Sequence, residues 1–354
     1  MPHTIGIDIG TTNIEYALAD SSAKIIDRHI ERNPLSKYGL DVMTRITRAN
    51  AGLLSEMSSV LRDSLKSQIK EYITNTKASE CVIKIAANTT MVHILMGYDC
   101  TPLASYPFKP VHIEQITTTA DNVDLCEANI PVIITPGLSA FIGGDIVSGL
   151  SVLPQNNNFL FIDLGTNAEL VLVHGNDAYL ASAAAGPAFE TCSYGHATDA
   201  IDGLTFMLQT GIIDESGLLC DECFENGYDY KGMHFTQRKI RDLQMAKSAI
   251  RTGIDFLLTE ATASTGKSIS DNIDSDFKIY IAGTFGAHLN IINAIYLKMF
   301  PEWFTCRCSL LGNTSLSGTL TAPKDYNIQK NNLHHIQLAN LPDFNAKYIA
   351  NMNF

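Results

Sequence analysis

The stretch Ile5–Leu18, IGIDIGTTNIEYAL, and its near copy Phe159–Val173, FLFIDLGTNAELVLV, decide the fold of this chain. In each stretch an apolar strand runs into a turn of small residues and continues as a second apolar strand, which predicts a hairpin. The two copies lie about half a chain apart, so they indicate an internal duplication of one device rather than a short-period repeat.

Helical and extended patterns alternate around these hairpins, which predicts an α/β fold with two similar lobes. Asn88 precedes an apolar run and is typical of a helix N-cap. Pro154 and the polar run after it favour a lobe boundary, with a first lobe over 1–153 and a second lobe over 154–354 that includes a C-terminal tail. The clearest predicted elements are helices over 41–50, 58–74, 139–153 and 236–261 and strands at Cys81–Ala87, Ile130–Thr135 and Lys278–Ala282.

The composition is that of a compact globular protein of 354 residues with 45% hydrophobic and 18% charged residues. A formal net charge of −12 argues against nucleic acid or an anionic membrane as the main partner. The N-terminus shows no signal peptide and no apolar run is long enough to span a membrane, so we expect a cytoplasmic protein with reduced cysteines.

The two turns have the residue types that bind phosphate, since glycine allows close backbone approach and hydroxyl groups add donors. Asp8 and Asp163 end the strands before the turns. A carboxylate there would repel phosphate directly, so we expect both to bind Mg²⁺ through water. The predicted phosphate-binding residues are Gly10, Thr11, Thr12, Asn13, Gly165, Thr166 and Asn167.

A third signal is a strand at Lys278–Ala282 that runs into Gly283-Thr284-Phe285-Gly286. One Asp-x-Gly-Thr turn is a weak signal, because such residues are common in ordinary hairpins. Two copies together with a later strand and Gly-x-x-Gly turn predict a nucleotide site.

These motifs resemble those of the superfamily of acetate and sugar kinases, heat-shock chaperones and actin (ASKHA). Asp8–Thr12 and Asp163–Asn167 resemble its two phosphate motifs, and Ile281–Gly286 resembles its adenosine motif. The resemblance implies two ribonuclease-H-like lobes with a central ATP cleft, and Gly283, Thr284, Phe285 and Gly286 facing the adenosine.

Further motifs resemble one branch of the superfamily more closely, and together they cover nearly the whole chain. They are Asn33-Pro34, Tyr38–Val42, Asn88–Met91, Thr135–Gly137, Gly144–Ile146, Ala184–Glu190, Gln244–Arg251, Gly312–Ser315 and the tail from Leu341 to Phe354. The branch that they resemble is the reductive activators of corrinoid-dependent methyltransferase systems.

This resemblance implies ATP-dependent assistance to the Co(II) to Co(I) reduction of a corrinoid protein. The implied partners are that corrinoid protein and a separate low-potential electron donor, and the implied cofactors are ATP and Mg²⁺. The chain begins three residues before its first strand, so the ferredoxin domain that the family often carries, with its iron–sulfur cluster, is expected to be absent. Thr284 and Thr191 stand where the family usually has glycine.

Further site residues are expected on three segments. Gly186 belongs to the Ala184–Glu190 motif and is assigned to the nucleotide. Gln244 and Lys247 lie one helical turn apart, and similarly spaced residues of the chaperones imply that they reach the adenosine. A carboxylate in the apolar segment around Asp145 would be costly without a function, so Asp145 is expected near the phosphates or their water.

Several alternatives stay open from the sequence. Cys220-x-x-Cys223 and Cys306-x-Cys308 are either unrelated thiols or four ligands of zinc or an iron–sulfur cluster. A cluster shared across a homodimer, as in the dehydratase activators of the superfamily, is a further reading. A small-molecule kinase with Asp145 or Glu190 as the base, and an ATP-controlled switch without catalysis, are the alternative functions.

Overall fold

A computed structural model describes residues 2–76, 80–154, 158–186, 188–189, 197–266, 277–283, 285–321, 328 and 331–354. Thr284, Glu190 and Thr191, named above, lie outside these ranges. None of the described helices is both long and apolar enough to cross a membrane.

The chain divides into two units, and the division differs from the one expected from the sequence. The first unit comprises Met1–Gln155 and Asn313–Gln329, and the second comprises Asn156–Gly312 and Lys330–Phe354. Residues 313–329 therefore belong with the first unit, although the sequence placed them in the second lobe. The physical reason is close packing against the first sheet, since a Cβ added to Gly6 would lie 2.3 Å from Oγ1 of Thr319.

The first unit contains a six-stranded sheet in the order β3-β2-β1-β4-β6-β5. Strands β1, β2 and β3 form an antiparallel meander, while β4 and β6 continue the sheet parallel to β1. The strands are β1 (His3–Ile9), β2 (Asn13–Ala19), β3 (Ile25–Arg32), β4 (Cys81–Ala87), β5 (Ile116–Thr119) and β6 (Pro131–Ile134). Its helices are α1 (Val42–Arg48), α2 (Leu54–Asn75), α3 (Thr89–Met96), α4 (Gly144–Ser151) and, late in the chain, the helix Thr314–Leu320.

The second unit contains a six-stranded sheet whose central strands are arranged as in the first unit. It also contains a separate two-stranded hairpin. Its strands are β7 (Asn158–Leu164), β8 (Ala168–His174), β9 (Asp177–Ala183), β10 (Tyr228–Tyr230), β11 (Met233–Phe235), β12 (Lys278–Ala282), β13 (Cys308–Gly312) and β14 (Asn332–His335). The helices are α5 (Ala197–Gln209), α6 (Asp221–Phe224), α7 (Gln237–Thr265), α8 (Ile291–Tyr296) and α10 (Phe344–Ala350); Thr314–Leu320 of the first unit is α9. The order of the main sheet is β13-β12-β7-β8-β9-β14, in which β7, β8 and β9 form the meander and β12 runs parallel to β7.

Two apolar layers hold the sheets in place. In the first unit Ile5, Ile7 and Ile9 are fully buried together with Leu61 and Leu65 of α2. In the second unit α7 packs on β8 and β9, and Gly253 gives the room, since a Cβ there would lie 2.5 Å from Leu170. The predicted α/β fold with a duplicated hairpin is confirmed.

Element bounds match the sequence best where a cap fixes them. Asn88 caps α3 by accepting the N–H of Met91, and Thr236 caps α7 by accepting that of Lys239. The helix predicted from Ser139 instead begins at Gly144. Its first part is a turn in which the N–H of Leu138 donates to the carbonyl of Ile142 at 2.8 Å.

Candidate functional site

The first turn, Gly10–Asn13, is held from one side by Asn33. The Asn33 amide Nδ2 donates to the carbonyl of Gly10 at 2.7 Å, and its backbone N–H donates to the carbonyl of Thr12 at 2.9 Å. Asn33 is fully buried, and its own Oδ1 accepts the N–H of Leu35 at 2.9 Å. Because a trans peptide directs its C=O and the following N–H to opposite sides, the N–H of Thr11 points away from Asn33.

Arg45 and Asn88 complete the support of the turn. Nη2 of Arg45 donates to the carbonyl of Thr11 at 2.7 Å, so the N–H of Thr12 also turns to the opposite side. Nδ2 of Asn88 lies 3.3 Å from the Thr11 hydroxyl. The carbonyls of Gly10, Thr11 and Thr12 thus all bind protein donors, which fixes the backbone of the turn.

Asp8 lies at the end of β1, and α9 supplies its hydrogen bonds. Its carboxylate accepts from Nδ2 of Asn313 at 2.8 Å and from the hydroxyl of Ser315 at 2.7 Å. Burial raises the pKa of Asp8 to about 7, although both hydrogen bonds act to lower it. The charges of Asp145 and Glu15 raise this pKa further.

Asp145 reaches this region because two glycines precede it. A Cβ on Gly143 would lie 2.5 Å from Cα of Asn88, and one on Gly144 would lie 2.4 Å from the carbonyl of Thr135. Only glycine therefore allows α4 to begin so close to Asn88 and Thr135. Burial raises the pKa of Asp145 to about 6, and its Oδ1 accepts the N–H of Ile146 at 2.9 Å.

The Asp8 carboxylate suits Mg²⁺. The charge of Asp145 raises the pKa of Asp8, and no described Lys, Arg or His forms an ion pair with either carboxylate. Mg²⁺ prefers oxygen ligands and keeps most of its water, so Asp8 could hold it through water. Among the described residues there is no group of three or more His, Cys, Asp or Glu that could hold a metal by protein ligands alone.

The second turn lies at the end of β7, with Asp163 opposite Glu169 in the hairpin as Asp8 is opposite Glu15. The N–H of Gly165 donates to the carbonyl of Asn167 at 2.9 Å, and Thr166 is buried. Asp163 lies directly against the turn after β12, since a Cβ on Gly283 would be 2.9 Å from its Oδ1.

Gly283 occupies a position that no other residue fits. Its φ is +87°, and a Cβ would lie 2.3 Å from the carbonyl of Leu164. Its N–H donates to the carbonyl of Gly312 at 3.0 Å. Gly286 is nearly as constrained, because a Cβ would lie 2.8 Å from Ile281. The strand and the turn after it are therefore fixed beside the second phosphate motif.

An aromatic contact links the Gly283–Gly286 turn to the segment that contains Gly186. Phe285 is buried and stacks on Phe189 with ring centroids 4.5 Å apart. Gly186, three residues before Phe189, has φ +71° with open space around it. The segment that contains Gly186 is thus anchored next to the residues predicted for adenosine.

Gln244 and Lys247 have partners other than those implied by the resemblance. Both are buried in α7, and both donate to the C-terminal segment: Nε2 of Gln244 to the carbonyl of Met352 at 3.1 Å, and Nζ of Lys247 to that of Asn353 at 2.7 Å. Burial and the charge of Lys298 lower the pKa of Lys247 to about 7.

One thiol in each cysteine pair has a raised pKa. Burial raises the pKa of Cys308 to about 12, and its Sγ donates to the carbonyl of Phe304 at 3.4 Å. A hydrogen bond with Cys220 raises the pKa of Cys223.

Sequence reasoning missed the supporting residues of the first turn. Asn33, Asn313 and Ser315 stood in the quoted motifs, but without a role. Arg45 carried no signal at all, since an arginine on a helix is usually exposed.

Two family profiles match successive parts of the chain. The profile of the RACo middle region matches residues 3–155. That of the C-terminal domain of RACo, the ASKHA domain, matches residues 157–210 and 198–354, which is more than half of the chain.

Two relatives are similar over the whole chain. The corrinoid activation enzyme RamQ of Eubacterium limosum is 26% identical, with 99% of this chain and 70% of that protein covered. A solved structure titled reductive activator for corrinoid, iron-sulfur protein superposes with a TM-score of 0.84 at 23% identity, with 100% of this chain and 66% of that chain covered. The chain thus spans about two thirds of the length of these proteins, and the structural likeness bears out the ASKHA fold.

Proposed function

Because the chain belongs to the family of the RACo ASKHA domain, we propose that it is an ATP-dependent activator that assists the reduction of a corrinoid protein from Co(II) to Co(I). The single observation that carries this proposal is the likeness over 99% of the chain to a protein named as a corrinoid activation enzyme. The duplicated turns with Asp8 and Asp163 support the role of ATP.

Each predicted motif has an assigned role toward the nucleotide or its metal. In this proposal Asp8 and Asp163 orient Mg²⁺ through its water, and the Gly10–Asn13 and Gly165–Asn167 turns bind phosphates. Gly186 and the Gly283–Gly286 turn face the adenosine. Asp145 is suited to orient a water at the phosphates, because its pKa of about 6 leaves it able to accept a proton near neutral pH. Mg²⁺, when bound, would neutralise phosphate charge.

The physical problem for such an activator is an uphill electron transfer. Co(II) keeps an axial ligand that Co(I) loses, so the reduction is disfavoured. A protein that binds the form with weakened axial ligation more tightly than the form that keeps its axial ligand raises the effective reduction potential. The rise is about 59 mV for each tenfold ratio between these two affinities. The electron itself comes from a separate low-potential donor.

ATP would release the client. An activator that binds the Co(II) form tightly must have a second state with lower affinity, and a nucleotide can supply it only by binding the two states differently. We therefore expect ATP to weaken the complex with the Co(II) protein, and the client to change ATP affinity by the same factor.

The test is a titration of a corrinoid protein of a methyltransferase system, with the cobalt state followed by absorbance. Formation of Co(I) should require the chain, ATP and a low-potential donor together. Equal conversion without the chain, or with the Asp8→Ala variant, would contradict the proposal. ATP consumption with sugars or acids and no corrinoid protein would favour a small-molecule kinase instead.

A further inference from the structure

Arg45 is a fully buried cation whose contacts are all uncharged. Its guanidinium donates to the carbonyl of Thr11 at 2.7 Å and to that of Gly39 at 3.0 Å, and Nη1 lies 3.4 Å from Sδ of Met91. It forms no ion pair with any described carboxylate. Buried arginines are normally paired with an anion, because an isolated charge is costly to remove from water.

The acid that acts on Arg45 is already engaged elsewhere. Asp41 raises the pKa of Arg45 electrostatically, but its carboxylate caps α1 by accepting the N–H of Thr44 at 2.8 Å and its hydroxyl at 2.7 Å. Burial lowers the pKa of Arg45 to about 10, so the side chain is still charged at neutral pH. The fold therefore retains a positive charge beneath the Gly10–Asn13 turn with no described anion bound to it.

The position of this charge relates it to the turn. Nη2 fixes the Thr11 carbonyl, so the charge lies directly behind the backbone of the turn. The same contact thus holds the turn and places a cation behind it. An anion on the far side of the turn would be attracted by this charge, because a buried charge is screened less than an exposed one.

We propose that Arg45 is a positioning residue for phosphate: it fixes the first turn and supplies a built-in counter-charge for a nucleoside polyphosphate bound on the other side. The inference rests on the proposed function, since it needs a phosphate ligand at Gly10–Asn13. It makes a distinction that a purely structural role would not, because a counter-charge acts in proportion to the charge of the ligand.

The experiment is calorimetric titration of the full chain with Mg·ATP, Mg·ADP and adenosine. Arg45→Met keeps similar length without charge, and Arg45→Lys keeps the charge without the second donor. Arg48→Met is the matched control, because it removes an exposed arginine from the same helix. For Arg45→Met we expect Mg·ATP affinity to fall at least about tenfold, or about 1.4 kcal/mol, with a smaller loss for Mg·ADP and less than about twofold for adenosine.

Arg45→Lys should recover most of the Mg·ATP affinity, and Arg48→Met should change it less than about twofold. Wild-type Mg·ATP affinity in Arg45→Met, or an equal loss for ATP and adenosine, would overturn the inference. If Arg45→Met does not fold, Arg45→Gln, which keeps a donor for the Thr11 carbonyl, gives the same comparison. Failure of the wild-type chain to bind Mg·ATP would instead overturn the proposed function.

Discussion

The first and second units carry the same hairpin at the centre of the same strand arrangement, but the surroundings of the two turns differ. Asp8 accepts hydrogen bonds from Asn313 and Ser315 of a helix that returns from the far end of the chain. Asp163 instead lies against the glycine turn that follows β12. A duplicated device has thus kept its backbone, while the elements that fix its carboxylate have diverged.

The two units also differ in how each holds its turn in place. In the first unit buried polar groups, Asn33 and Arg45, bind the turn's carbonyls. In the second unit the close contact is made by bare backbone at Gly283. Support by side chains can be tuned by substitution, whereas support by a glycine tolerates none, and the first three predictions below test this contrast.

The largest expected effect is on ATP turnover. Asp8→Asn and Asp163→Asn should each lower Mg²⁺-dependent turnover by about 100-fold or more, because each removes a charge that orients the metal. Steady-state phosphate release measures this. The controls are Asp63→Asn and Asp229→Asn, whose side chains are 63% and 78% exposed, one in each unit. If only one of the two site variants loses activity, the turns are not functionally equivalent.

The second effect concerns Gly283. Gly283→Ala should lower the free energy of unfolding by about 3–4 kcal/mol, because it combines a positive φ with a clash against the Leu164 carbonyl. Gly175→Ala is a matched control with φ +61° and open space around it, so it should cost only about 1–2 kcal/mol. Denaturant unfolding measures both. Equal losses would mean that the contact with Leu164 adjusts freely.

The third prediction is a pH dependence of stability that arises from Asp8 of the first unit. The pKa of Asp8 is raised to about 7 in the fold, so the folded state binds more protons than the unfolded state and stability falls as pH rises from about 4 to about 7. Asp8→Asn removes this loss, and its amide can still bond Asn313 and Ser315. Without Mg²⁺ the variant should therefore gain about 4 kcal/mol over wild type at pH 8 and little at pH 4.

Thermal melts across this pH range measure the effect, and Asp63→Asn serves as the control. A gain of the same size at both pH values would show that the carboxyl of Asp8 titrates normally. Mg²⁺ should raise the melting temperature of the wild type at pH 8 but not that of Asp8→Asn, since the ion would compensate the same charge.

The smallest expected effect tests whether Gln244 on α7 binds the adenosine or only supports the C-terminal segment. Gln244→Met should lower the stability of the chain by about 1–2 kcal/mol, because the carbonyls of Ser216 and Met352 lose a buried donor. Affinity for Mg·ATP should change less than about twofold, as calorimetry can measure. A loss of about tenfold or more would restore the role at adenosine that the resemblance implied.

The sequence predicted those parts of the fold that depend on local patterns. The hairpins follow from alternation around Asp8 and Asp163, and the starts of α3 and α7 follow from the caps Asn88 and Thr236. The helix expected from Ser139 started later because the Gly143-Gly144 contact is tertiary: it depends on Asn88, which lies distant in the chain, and on Thr135 before the turn.

In the candidate site, the sequence assigns roles only to residues of its motifs, and those ligand roles stay predictions. The aspartates and glycines belong to motifs with a chemical reason for each residue type. The supporting residues do not, since nothing local shows that Arg45 is buried or that Ser315 reaches Asp8 across 307 positions. The assignment of residues 313–329 to the second lobe has the same cause, because chain order alone does not show where a helix packs.

The return of α9 to the first sheet has a consequence for how the chain folds while it is being made. Ala17 and Ala19 of β2 are covered by Leu316 and Leu320, which a ribosome adds about 15 to 60 s later at usual rates. Until then Ala17 and Ala19 lack this cover, and Asp8 lacks its two hydrogen-bond donors. The strands synthesised first therefore complete their native contacts only after a helix near the other end of the chain has been made.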